Sequence, residues 1–209
     1  MLKLRIKASQ ITNLTDARYF AARDVEWLGF NLDAGTENFI HPQNIKAIKE
    51  WLEGPKIVGE FGMQDSSEIN AAIDFLDLDV VQVGMYADTS SLELKDAELI
   101  KEIVIESGTD YYELRTTLES GSANVGAFLL NYSRNNLSWS SIASKQSALK
   151  DICNRFKIIL SIDFEIGQLN EILETLQVHG LNLTGGEEEK VGLKSFDELD
   201  EILDALEVE

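Results

Sequence analysis

Basic side chains are scarce in this chain: 18 lysines and arginines stand against 37 acidic residues, for a formal charge of -19. A surface so short of cations suits neither nucleic acid nor an anionic membrane, and neither is expected as a partner. Cysteine is rarer still. Cys153 stands alone, which excludes an intramolecular disulfide, and no Cys/His cluster has metal-ligand spacing, so no metal is expected. Histidine is limited to His41 and His179. Long apolar runs are missing too: no segment reaches the roughly 18 to 20 residues of a membrane helix. The stretch from Met1 to Gln10 mixes charge with short apolar steps, unlike a signal peptide. The expectation is a cytoplasmic protein.

What is present is a core. Hydrophobic residues make up 44% of 209 positions, enough for one folded domain spanning 1–209. Short apolar runs alternate with helical periodicity along the chain. Strands are expected at Leu4 to Lys7, Trp27 to Phe30, Lys56 to Phe61, Val80 to Val83, Glu102 to Ile105, Val125 to Leu130, Lys157 to Leu160 and Leu181 to Leu183. Helices are expected at Asp16 to Arg23 with Thr15 as cap, and from Pro42 with Ile45, Ile48 and Trp51 repeating. Further helices are read at Ser66 to Leu76 with a serine start, Thr109 to Leu118, within Ile142 to Phe156, Ile166 to Leu176 and Phe196 to Leu206. Another is expected between the fourth and fifth strands, where periodicity is weakest.

Eight strand candidates alternating with helices predict an α/β fold, a single compact (β/α)8 TIM barrel. A doubly wound open sheet is the alternative, because local patterns do not show whether the first and last strands pair. No Gly-x-Gly-x-x-Gly follows the first strand, which removes the main argument for a dinucleotide, and no cofactor is expected.

In such a barrel the site forms at the C-terminal strand ends. The ring there contains Ser9, Gln10, Asn31, Gly62, Gly84, Met85, Asn131, the segment from Ser161 to Phe164, and that from Thr184 to Glu188. Its hydroxyls, amides and carboxylates suit a small polar or phosphorylated ligand. Thr184, Gly185 and Gly186 could offer backbone N–H groups to an anion, although the same residues could form a plain turn and three glutamates follow. Asp163 could act as acid or base, or cap the following helix. His41 reads as a helix-start residue and His179 as a turn residue on the opposite face of the barrel.

The chain resembles the phosphoribosylanthranilate isomerase family. Lys7 to Ala17 is similar to that family's Lys-Ile-Cys-Gly-Ile-Thr start and the helix after it. Trp27-Leu28-Gly29-Phe30 resembles its Ala-Leu-Gly-Phe strand, and Val81-Gln82-Val83 its Val-Gln-Leu-His-Gly segment. Ala127 to Asn131 is similar to its strand ending in Leu-Leu-Asp. Leu181 to Glu188 with Gly192-Leu193-Lys194 resembles Val-Asp-Val-Ser-Ser-Gly-Val-Glu and Pro-Gly-x-Lys. The resemblance runs from Ile6 to Leu206. It implies an Amadori rearrangement of N-(5'-phosphoribosyl)anthranilate with a cysteine as general base and an aspartate as general acid.

Carried over, those two positions are Ser9 and Asn131. The resemblance further implies ligand contacts at Asn38, where the family has an arginine, and at Gln82, Thr184, Gly185 and Gly186. A phosphate-binding Gly-Gly corresponds to Ile162-Asp163, and His-Gly to Gly84-Met85. A serine hydroxyl is a poor base without an activating partner, and an asparagine amide is no acid. The expectation is therefore a barrel that keeps the scaffold without the inherited reaction and binds a small polar ligand or a protein partner of unknown identity. Asp163 is the candidate replacement group. The alternative is an active isomerase of tryptophan biosynthesis, and a third reading is a different enzyme on the same barrel.

Overall fold

Eight parallel strands follow one another round a closed ring: β1 (Arg5–Ser9), β2 (Trp27–Asn31), β3 (Lys56–Phe61), β4 (Val80–Gly84), β5 (Glu98–Val104), β6 (Ala127–Asn131), β7 (Ile158–Ser161) and β8 (Gly180–Thr184). In this computed structural model β8 pairs with β1 from Arg5↔Gly180 to Ser9↔Thr184, which rules out the open sheet. Every residue is described except Met63, Gly186, Glu187, Val191, Gly192, Ser195 and Glu209; for residues 188–190 and 193–194 only the backbone is. These last form a small hairpin, β9 (Glu188–Lys190) with β10 (Leu193–Lys194).

Helices α1 (Leu14–Ala22), α2 (Pro42–Lys49), α3 (Ser66–Leu76), α4 (Tyr111–Ser120), α5 (Gln146–Cys153), α6 (Leu169–Thr175) and α7 (Asp197–Leu206) surround the ring. Side-chain caps set several starts. Asn13, not Thr15, caps α1 by accepting from the Asp16 N–H at 2.9 Å. Asp65, not a serine, caps α3 by accepting from the N–H groups of Ser67 and Glu68 at 2.9 and 3.0 Å. His41 caps α2 as expected, its Nδ1 accepting from Gln43 at 3.3 Å. Because α2 ends at Lys49, Trp51 lies beyond the periodic face and is 71% exposed.

The helix expected between β4 and β5 is absent. Residues 85–97 run irregularly, with Leu92, Leu94 and Ala97 packed against the core. Asn70 of α3 ties the segment down, donating to the Ser91 carbonyl at 3.0 Å and accepting from the Glu93 N–H at 2.9 Å. Side-chain clamping thus satisfies backbone groups that a helix would have paired internally. β5 also begins at Glu98, four residues ahead of the expected start. No helix among the described residues is long and apolar enough to cross a membrane.

Alternation along the strands divides the buried residues into two compartments. Outward side chains such as Ile6, Phe30, Leu130, Leu160 and Leu181 pack with Phe20, Ile45, Ile69 and Leu203 of the helices. Inward side chains Trp27, Val58, Val80, Ile100, Ala127, Leu129 and Ile159 plug the barrel. Each buried Val, Leu, Ile or Phe side chain among these stabilises by roughly 1.5–3 kcal/mol. The next inward position along β3 through β7 is polar in every strand: Glu60, Gln82, Glu102, Asn131 and Ser161. That layer forms the floor of the site.

Candidate active site

A cleft of about 620 Å³ opens above this layer, within the size range of small-molecule sites. Ser9, Asn31, Glu60, Gln82, Glu102, Asn131, Ser161, Asn182 and Thr184 line it from all eight strands, with loop residues at the rim. Among the described lining residues, the carboxylates are Asp33, Glu37, Glu60, Glu102 and Asp163, and the one cationic side chain is Arg134.

Two hydrogen-bonded clusters organise the floor. The first centres on Lys7 of β1, which is fully buried. Its ammonium is ion-paired with Glu60 of β3, donates to Ser9 Oγ at 2.5 Å, and reaches Asn182 Oδ1 at 3.4 Å. Ser9 passes the chain on, donating to Asn182 Oδ1 at 2.6 Å, and Asn182 donates to Ser161 Oγ at 3.3 Å. The other Glu60 oxygen accepts from the Gln10 N–H at 3.3 Å. Gly29 of β2 leaves the room for this pair: a Cβ there would collide with Glu60 Oε1 and stand 2.9 Å from Lys7 Nζ. A buried ammonium needs such partners, since an unpaired one costs several kcal/mol.

The second cluster centres on Glu102 of β5. Its Oε1 accepts from Asn131 Nδ2 at 2.7 Å and its Oε2 from Gln82 Nε2 at 3.1 Å. The Asn131 amide is oriented from its other side, where Oδ1 accepts from the Arg134 N–H at 3.0 Å. Arg134 also brings its guanidinium to 3.9 Å from Glu102 Oε1. Gln82 Oε1 is buried and has no protein partner among the described residues.

The structure places the residues singled out from sequence as follows. Ser9, Asn131, Asp163, Asn38, Gln82 and Thr184 all line the cleft. Ser9 accepts a hydrogen bond from an ammonium, which lowers its capacity as a base. Asn38 has positive φ and donates to Gln10 Oε1 at 3.0 Å, joining the first two strand-end loops. Asp163 is exposed on the wall and does not cap the next helix, because Glu165 and Gln168 form that capping box. Gly185 borders the adjoining hollow beside α7, and Gly186 lies outside the described residues.

Sequence reasoning missed Lys7, Glu60, Glu102 and Arg134. A charged residue at an inward position of an otherwise apolar strand was the available signal for the first three. Its meaning depends on which residues the closed barrel brings opposite it.

The closed ring of βα units with a polar cleft at its C-terminal strand ends defines the class: a (β/α)8 barrel with its site in the position typical of barrel enzymes. A family model described as N-(5'-phosphoribosyl)anthranilate (PRA) isomerase matches residues 6–205. The chain belongs to this phosphoribosylanthranilate isomerase family. It is 28% identical over 203 residues to the isomerase of Pelodictyon phaeoclathratiforme, covering 91% of each chain. The structure resembles the Thermus thermophilus isomerase with a TM-score of 0.76 and 25% identity, over 97% of this chain and 98% of the other. At 18% identity and a TM-score of 0.72, the fold is shared with an isomerase solved in complex with reduced 1-(o-carboxyphenylamino)-1-deoxyribulose 5-phosphate, over 96% of this chain and 97% of the other.

These comparisons correct the expectation of a noncatalytic barrel. The family match and the full-length curated relatives named as isomerases favour the ordinary activity. The physical reason is that the residue type at Ser9 and Asn131 does not by itself fix the chemistry of the site. In the folded barrel Ser9 joins a network that contains Glu60, and Asn131 touches Glu102. A carboxylate thus touches Asn131, and another is joined to Ser9 through the Lys7 ammonium.

Proposed function

We propose that this protein is a phosphoribosylanthranilate isomerase of tryptophan biosynthesis. The observation that carries the reading is the strand-end cleft, lined by amides, hydroxyls and carboxylates, on a barrel that matches the isomerase family model from residue 6 to 205. The reaction is an internal hydrogen shift that consumes no co-substrate. The ribose ring oxygen takes a proton as the C1–O bond opens and the anthranilate nitrogen lone pair forms a C=N bond. A base then removes the proton on C2, giving an enamine-enol that tautomerises to the ketone. Such positioned proton transfers contribute about 10²- to 10⁴-fold each.

Asn38 and Thr184 offer hydrogen bonds suited to the sugar hydroxyls, and Gly185 with Thr184 lies on the side where the resemblance puts the phosphate. Arg134 supplies positive charge for an anionic substituent of the substrate. The rest of the rim is acidic, so the global field opposes an anion's approach. Added salt screens that field, and kcat/KM is expected to rise severalfold between low and physiological ionic strength.

The test is turnover of freshly generated phosphoribosylanthranilate by the purified protein, with rescue of a tryptophan auxotroph lacking its isomerase. Activity in both assays is the expected result. Inactivity in both would overturn the reading.

A further inference from the structure

We infer that Glu102 is the general base of this isomerisation, with Asn131 and Gln82 as the residues that position it. The assignment rests on the isomerase reading and goes beyond it by naming a residue at neither position the family resemblance gives to proton transfer. Each other candidate base in the cleft has a feature against it. Glu60 is neutralised by the buried Lys7 ammonium. Ser9 accepts from that same ammonium. Asp163 and Glu37 stand exposed at the wall and rim, and Asp33 is engaged by the Gly62 N–H at 2.6 Å.

Glu102 is neither neutralised by a buried cation nor exposed: the nearest guanidinium, that of Arg134, is itself largely exposed and stands 3.9 Å away. The Glu102 side chain is 15% exposed, so it reaches the cleft yet is largely withdrawn from water. Two neutral amides hold it, one on each oxygen, which fixes its direction while leaving lone pairs for a substrate proton. The arrangement also gives a reason for an amide at position 131. Asn131 donates to Glu102 across 2.7 Å, where an aspartate would place like charges in contact. Gln82 behaves alike: Nε2 serves Glu102, and Oε1 is left buried without a protein partner. A stranded acceptor is costly, and orienting Glu102 is the compensation the structure offers.

In the step assigned to it, a Glu102 oxygen forms an O–H bond with the C2 proton. The C2–H electron pair becomes the C1=C2 bond as the C=N pair returns to nitrogen. Ketone formation moves that proton from Glu102 to C1, which restores the carboxylate, while the enol O–H releases its proton to solvent and so returns the one taken up by the ring oxygen. No oxidant, reductant or second substrate is required.

The test compares wild type, Glu102→Gln and Asn131→Asp for turnover of phosphoribosylanthranilate, and for binding of reduced 1-(o-carboxyphenylamino)-1-deoxyribulose 5-phosphate by calorimetry. Glu102→Gln is expected to lower kcat by about 10²- to 10⁴-fold, with affinity for the analogue held within about threefold of wild type. Asn131→Asp restores the family's acid and is nevertheless expected to lower kcat, because its charge repels Glu102. Should Glu102→Gln fail to fold, the Asn131→Asp result decides by itself. The assignment is overturned if Glu102→Gln turns over within threefold of wild type, or if Asn131→Asp is faster than wild type. A wild type that neither turns over nor binds the analogue overturns the isomerase reading, and this assignment with it.

Discussion

A single residue separates Val58 from Glu60, Val80 from Gln82, Ile100 from Glu102, Leu129 from Asn131 and Ile159 from Ser161. Within that single step along five strands the barrel interior changes from an apolar plug to a hydrogen-bonded network. The plug is held by non-directional burial, so the exact partner of each side chain matters less than filled volume. The network is directional: each donor and acceptor has a particular counterpart, and losing one strands another. The plug therefore supplies rigidity, and the network directs side chains at the cleft.

The largest test of this contrast is Lys7→Met. Removing the ammonium leaves Glu60 buried and unpaired, an expected loss of about 3–5 kcal/mol in urea unfolding. Replacing both, as Lys7→Met with Glu60→Leu, should recover most of that loss, since no orphaned charge remains. A single variant as stable as wild type would show that the pair does not anchor the network. In the plug, Ile159→Val removes one methylene and is expected to cost about 0.5–1.5 kcal/mol, with catalysis little changed. A large catalytic loss there would break the division of labour between the layers.

The smallest effect belongs to the end of the barrel opposite the cleft. His179 has its pKa lowered from 6.5, first by burial and then by the positive charges of Arg5 and Lys157. Its folded-state value lies below the unfolded one, so the native state favours the neutral ring. That stability is fully present above about pH 6.5 and is lost as pH falls through the lower folded value. The stability difference between wild type and His179→Gln should therefore shrink, or reverse, from pH 7 towards pH 5, with kcat at neutral pH unchanged. A pH-independent difference would remove His179 as a titrating group.

Much of the architecture was legible along the chain. β3 and α3 were expected with the boundaries they have, because Lys56 to Phe61 is an unbroken strand run and Ile69, Ile73 and Leu76 repeat at helical spacing. The β4–β5 connection was misread, since Leu92, Leu94 and Ala97 pack against the core without helical hydrogen bonds. Asn70, more than twenty residues away, holds that segment instead. Ser9, Asn131 and Gln82 were legible as cleft residues from their place at strand ends, whereas their partners were not.

Local pattern alone determined that this protein alternates strands and helices and presents polar residues at the strand ends. Hydrophobic periodicity and turn signals act over a few residues and survive without tertiary structure. Closure of β8 on β1, burial of Lys7 against Glu60, and the hold of Asn131 and Gln82 on Glu102 were decided only in the folded barrel. The groups of each cluster come from different strands, up to 175 residues apart in the case of Lys7 and Asn182. A hydrogen bond depends on a separation of about 3 Å and a direction, and barrel closure sets both.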